Sequence, residues 1–384
     1  MNFDLLLKGG YVIDPGNKID GPANLAITGD RIKAIGQNIT GEAKTVIDVS
    51  GMYVTPGLID LHTHSYGYFA STLPDEYSFP NGTTTIIDAG GSGYKNFLDF
   101  KTSVIDRARV RLLALLNIVG GGMLGAVEQD VSEMQPEPCA ETVLAFPETI
   151  VGVKAAHHRG PGWQSVDGAV KAAELSNTFA MIDYSENPAR SYAELITDHM
   201  RPGDVHTHMY NGKLAQIDEN SQVYEYVWKA RERGVLFDVG HGGGSFLFRV
   251  AKPSMDQGHV PDTISTDAHQ GSLYMPRATM PITMSKLMNM GMSFPDAVEK
   301  STVAPARKIS RPDLGTLSVE SVADVAVLDL EKGDVGFVDS GLARMRGNQR
   351  ITCHITIRGG KVVWDMNGLS RPDWETAGRY LKLD

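Results

Sequence analysis

Cysteine is scarce in this chain: Cys139 and Cys353 are the only two in 384 residues, far apart in sequence. Two thiols make no disulfide framework, so an ordinary buried core must hold the fold. Long apolar runs are missing as well, none reaching the roughly 18 residues of a membrane helix. Positive charge is in deficit, with 36 Lys and Arg against 46 Asp and Glu and a net charge of −10. That balance argues against nucleic acid or an anionic membrane as partner. The opening Met1-Asn2-Phe3-Asp4 has an acid where a secretory signal has bases. The expectation is a reduced, cytoplasmic setting and a small-molecule partner, with homo-oligomers left open.

What the chain does have is an ordinary globular composition, 42% apolar and 21% charged, at a length that suggests about two domains. Residues 3–54 read as short strands, since FDLLLKGGYVID and NLAITGDRIKAIG each break at glycine, a hairpin signal. From residue 55 the pattern changes to apolar, β-branched runs without strict alternation. They are residues 55–64, 83–91, 110–120, 150–158, 178–186, 204–212, 235–243 and 263–271. Such runs suit strands buried on both faces, and their spacing suits βα units of about 30 residues. Eight of them predict an α/β fold, a (β/α)8 TIM barrel. Nearly every run ends in His, Asp, Asn or Lys followed by a small residue. In such a barrel the C-terminal strand ends form one face, so these polar residues would gather there. Helical stretches follow residue 275, and the methionines between Met255 and Met292 read as flexible core filling. From residue 312 short strands return, expected to pack on residues 3–54 as one composite β-sandwich. The expected divisions are 1–54 and 312–384 for the sandwich and tail, and 55–311 for the barrel. The stretch from Asn367 to Asp384 reads as a surface helix.

The first run, Val54-Thr55-Pro56-Gly57-Leu58-Ile59-Asp60-Leu61-His62-Thr63-His64, carries the sharpest signal. Residues two apart on a strand share a face, so His62 and His64 would leave it about 6.6 Å apart. Both imidazoles can then reach one ion with bonds of about 2.0–2.1 Å. This motif resembles the first barrel strand of the metal-dependent amidohydrolases, and the likeness runs from about residue 1 to about 365. It falls to the deacetylase-like, dihydroorotase-related branch.

The resemblance implies further roles. Lys154, in the apolar run VGVKAAHH, matches the fourth-strand lysine that carbon dioxide converts to a carbamate bridging two metals. His208 matches the sixth-strand ligand, and His206, two residues earlier, is expected behind it or in the core. Asp267 matches the eighth-strand aspartate that binds metal and serves as general acid/base. Asp183 is a departure, because many family members have histidine there. Either it ligates metal or the second ion is weakened. His157, Tyr184, His241 and Gly243 follow strand ends and are expected to touch substrate. The loop after His241 is glycine-rich but lacks the Gly-Lys-Ser/Thr of a phosphate loop. His158 reads as a solvent-facing loop residue.

The expected cofactors are one or two Zn²⁺ ions with carbamylated Lys154, although the donor set also suits Mn²⁺, Fe²⁺ or Co²⁺. The expected activity is hydrolysis of an acyl amide or ester, as in a deacetylase of N- or O-acyl amino or hydroxy acids. A metal-activated hydroxide would attack while Asp267 shuttles the proton. A cyclic amidohydrolase of the dihydroorotase or hydantoinase kind is one alternative, and a non-catalytic binding barrel is another.

Overall fold

The computed structural model describes residues 2–378. At its centre seven parallel strands follow one another in sequence order: Leu58–Thr63, Thr83–Gly93, Arg111–Asn117, Ile150–Ala155, Ala180–Ile182, Val205–His206 and Leu236–Phe237. The eighth run, expected as a strand over 263–271, is irregular. It closes the ring through parallel bridges from Asp238 to Thr263 and from Thr63 to Ala268. Side-chain bonds reinforce the closure: buried Asp60 on the first strand accepts from Thr266 N at 3.0 Å and from the Thr266 hydroxyl at 2.5 Å. Tyr77 donates to the same carboxylate at 2.6 Å.

Inside the ring, Ile59, Leu61, Ile87, Leu113, Leu115, Met181 and Val205 form one apolar cluster with Ile309 and Leu314. Side chains from strands on opposite sides of a closed sheet meet only in its interior. Leu61 and the next residue, His62, therefore both face inward. The ladder of the first strand slips between Asp60 and Thr63, an irregularity of the kind that re-aims a side chain. The outer face carries helices such as Gln164–Leu175 and Glu225–Arg233. Met280, Met284, Met288 and Met290 are buried in the large cluster beneath them.

The two ends of the chain meet beside the barrel. One sheet has the order Lys361–Asp365, Arg344–Arg358, Val325–Val338, Tyr53–Pro56, Tyr11–Asp14, Ile19–Pro22. A second runs Arg31–Gly36, Asn24–Thr28, Asn2–Lys8, Glu42–Asp48. Leu5, Leu7, Leu25 and Ile27 of one pack on Val54, Val325, Val327 and Ile355 of the other. Val54 pairs with Val327, one residue pair from Thr55–Ala326, so the sandwich delivers the chain directly into the first barrel strand. The expected helix over 367–384 is not formed where the structure describes it. Residues 366–378 are turns and irregular backbone, and 379–384 lie outside the described residues.

Asp324 ties sandwich to barrel. It accepts from Arg111 on the third strand at 2.6 Å, from Arg358 at 3.3 Å and from Gly359 N at 2.8 Å. Removing the one acid leaves two largely buried guanidiniums facing each other. Asp324→Ala should lower the unfolding free energy by about 2–3 kcal/mol, discounted from the cost of breaking a fully buried pair. Urea denaturation measures it, and a loss under about 0.5 kcal/mol would show the contact to be dispensable.

Candidate active site

The ring gathers its polar strand ends at the C-terminal rim. One ligand atom from each of His62, His208 and Asp267 lies within 4.8 Å of the other two. Asp267 Oδ1 is 2.9 Å from His64 Nε2 and 3.6 Å from His62 Nε2. Lys154 Nζ is 3.0 Å from His62 Nε2, and Asp183 Oδ2 is 3.4 Å from His208 Nε2. The six residues expected as a metal centre from 206 positions of sequence thus share one place.

The hydrogen bonds behind the imidazoles fix which nitrogen faces the cluster. Thr207 donates its hydroxyl to Asp238 Oδ2 at 2.8 Å, so its oxygen is left to accept from His62 Nδ1 at 3.0 Å. His208 Nδ1 donates to the carbonyl of Gly240 at 2.5 Å. In both rings a proton sits on Nδ1 and Nε2 points inward, with its lone pair free in the neutral ring. Asp238 is buried and is itself held by Thr263 at 2.6 Å and Ser265 at 2.6 Å.

Lone pairs and carboxylates therefore converge on one another, and the electrostatics say what they need. Burial opposes the charge on Asp183 and Asp267, yet His208 and Lys154 for the first, and His62 and His64 for the second, hold both well below the usual carboxylate range. His208 is pushed up to about 9, since Asp183 outweighs its burial. Burial lowers Lys154 against the pull of the same two acids, and burial with Lys154 beside it keeps His62 neutral. A cation among these donors matches a set of two carboxylates and three imidazoles.

Two glycines make the room. A side chain on Gly242, at φ +55°, would stand 2.4 Å from Asp267 Oδ2, and one on Gly240, at φ +47°, would stand 2.2 Å from the Thr207 hydroxyl. The glycine loop thus lets the backbone approach the polar cluster itself.

A cavity of about 380 Å³ opens over the cluster. His64, Tyr68, His157, Tyr184, His208, Asp267 and His269 line it, with Arg159 and Lys213. Of the expected substrate contacts, His157 and Tyr184 line this cavity, although the Tyr184 hydroxyl is spent on the Arg190 carbonyl at 2.6 Å. Gly243, also expected there, is not among the lining residues, although an added Cβ on it would lie 3.3 Å from Nε2 of His269, which is. His241 does not reach the cavity. It is fully buried, stacks on Phe246 with centroids 4.4 Å apart, and accepts from Lys286 at 2.7 Å. His158 is not solvent-facing either, being 6% exposed. His206 is core packing against Tyr192 and Phe237, with no hydrogen bond to either ring nitrogen among the described residues. Thr207, Asp238 and Glu128 are contributors that sequence reasoning passed over. Thr207 sits between two histidines, which was the available signal.

A closed parallel ring with histidines, aspartates and a buried lysine at its C-terminal rim defines a metal-centred hydrolase of the barrel type. No family model matches the chain. A deacetylase of Brucella anthropi is 32% identical over 362 residues, which covers 91% of this chain and 87% of that protein. A deacetylase of Enterococcus faecalis is 31% identical over 377 residues, covering 94% and 99%. A crystal structure of an adenine deaminase matches with a TM-score of 0.88 at 29% identity, covering 94% of this chain and 100% of the other. The chain belongs to the amidohydrolase superfamily, in its deacetylase-like branch, and is a hydrolase. Among the described residues no helix is long and apolar enough to cross a membrane.

Thr207 sets the tautomer of His62 without touching the cavity. Thr207→Val should weaken Zn²⁺ binding about 10–100-fold, while Thr207→Ser, which keeps the hydroxyl, should bind nearly as the parent does. Isothermal titration of apoprotein with Zn²⁺ reads this, and equal affinities in all three would remove Thr207 from the metal centre.

Proposed function

We propose that this protein is a metal-dependent deacetylase that removes a small acyl group, such as acetyl, from the nitrogen or oxygen of an amino or hydroxy acid. The observation that carries the reading is the convergence of His62, His64, Lys154, His208 and Asp267 beside a cavity that His64, His208 and Asp267 line and that also presents Arg159 and Lys213. Neither cation makes a salt bridge among the described residues. A guanidinium and an ammonium at the mouth suit a substrate carboxylate, the guanidinium with bidentate geometry. A volume of about 380 Å³ suits an acylated amino acid rather than a polymer. The deacetylases to which the chain is similar favour the same chemistry.

His62, His64 and Asp267 would hold a Zn²⁺ ion, with Lys154 as a carbamate. Burial favours the neutral amine of Lys154, which can add to carbon dioxide, lose one proton and become an anion. A bound divalent ion supplies Lewis acidity, which polarises an acyl carbonyl and makes water a stronger acid. The remaining work falls to the side chains. Asp267 takes the proton that the attacking water releases. It returns that proton to the leaving nitrogen or oxygen as the acyl bond breaks. Arg159 and Lys213 hold the carboxylate end of the substrate, which turns the acyl carbon toward Asp267.

The reading is tested by a screen of N-acetyl and O-acetyl amino and hydroxy acids of both hands against cyclic imides. Turnover of acetylated acids, weakened when the carboxylate is amidated, is the expected result. Turnover confined to cyclic imides would replace the deacetylase with a ring-opening hydrolase. In the best substrate, Asp267→Asn should lower kcat by about 10²–10⁴-fold while metal content stays near that of the parent. Near-normal kcat would take Asp267 out of the proton transfer.

A further inference from the structure

Asp183 ends the fifth strand between two imidazoles. Its Oδ2 lies 3.4 Å from His208 Nε2 and 3.6 Å from His157 Nε2. Both separations exceed an ordinary N–H···O hydrogen bond. Each matches the spacing of neighbouring ligand atoms on one tetrahedral ion, about 3.3–3.6 Å for bonds of about 2.0–2.2 Å.

The state of His157 points the same way. Its Nδ1 is 2.7 Å from Oε2 of Glu128, a residue only 8% exposed. A carboxylate accepts and does not donate, so Nδ1 carries a proton and it is Nε2 that faces Asp183, with its lone pair free for a cation when the ring is neutral. A carboxylate behind an imidazole is the arrangement that orients a metal-bound histidine and raises its basicity. The next residue, Gln129, fixes the backbone: its side chain donates to the His157 carbonyl at 2.8 Å and accepts from Arg159 N at 2.9 Å. His157 adopts the left-handed region at φ 57°, as do His208 at 65° and Asp267 at 48°. Non-glycine residues seldom sit there, and such strain is held where a side chain must be aimed. Thus the turn Gly125–Gln129, after the third strand, serves to present one imidazole.

We propose that His157 is a metal ligand rather than a substrate contact, and that with Asp183 and His208 it forms a second divalent-ion site beside the one assigned to His62, His64 and Asp267. This rests on reading the cluster as a metal centre. Glu128 is a positioning residue that acts through His157. The site takes a borderline cation such as Zn²⁺, Co²⁺ or Mn²⁺, given two nitrogens and a carboxylate.

The experiment is metal counting on full-length protein, reconstituted with Zn²⁺ in bicarbonate buffer and freed of excess ion, with affinities from isothermal titration. The parent should hold two ions per chain and His157→Ala one. Glu128→Gln should still reach two, with the weaker ion bound about 10–100-fold less tightly. With Co²⁺, the visible absorption of the second equivalent should be lost in His157→Ala and kept in Glu128→Gln. Two ions with parent affinities in His157→Ala overturn the proposal, as do loss of both ions from a folded His157→Ala or a parent that binds only one. A parent that binds one ion and deacetylates leaves the proposed function standing, whereas a parent that binds none removes both. If His157→Ala does not fold, the affinity shift in Glu128→Gln decides alone, and no shift overturns it.

Discussion

The desolvation of clustered polar groups is the constraint on which this structure turns. Imidazole nitrogens and two largely buried carboxylates are held within a few ångströms of one another, at contacts such as 2.9 Å for His64 to Asp267 and 3.4 Å for His208 to Asp183. Desolvation makes each of these groups costly unless something positive lies among them. Protons and the Lys154 ammonium can serve in part, which is why His208 is driven up and Lys154 is not wholly released from its charge. A centre of higher charge would satisfy all of them together.

Holding such groups together takes a rigid frame, and the frame is closed by side chains where the backbone ladder fails. The eighth segment lacks a regular strand, so Asp60, Thr266 and Tyr77 do the closing on one side. On the other side Asp238 gathers Thr207, Thr263 and Ser265. Asp238 thereby links ring closure to ligand orientation: the acid that fastens the eighth segment also decides which nitrogen of His62 faces inward. Outside the ring, Asp324 fastens the sandwich to the third strand, so the hand-over at Val54 to Leu58 cannot shift without disturbing the first two histidines.

Much of this was legible in the linear order, for a simple reason. Strands buried on both faces leave apolar runs, and a barrel puts the polar residues that end such runs at one rim. His62, His64, Lys154, Asp183, His208 and Asp267 are visible on that ground. Direction at the strand ends was not legible. Alternation fails where the first ladder slips and where His157, His208 and Asp267 turn into the left-handed region. His241 illustrates the failure, since it ends its strand as expected yet swings into the core onto Lys286 and Phe246. Glu128 was hidden for a different reason. It lies in a short irregular turn, where no periodicity exists to mark a residue, and its partner is 29 positions away.

The aspartate at the end of the fifth strand changes the charge of the centre, not merely its shape. With Lys154 as a carbamate, the proposed centre carries three negative charges, from Lys154, Asp183 and Asp267. Two divalent ions then leave a net charge of +1, which a single further anion neutralises. A neutral imidazole at position 183 would leave +2 instead. In that proposed centre the aspartate would give a less electrophilic site, and one that would bind an anionic substrate less strongly through the ions themselves. Under the proposed function, affinity for a substrate carboxylate would come instead from charge placed away from the ions, which is where Arg159 and Lys213 line the cavity. The two features fit one another: an extra anion on the floor, and two cations without salt-bridge partners among the described residues at the rim.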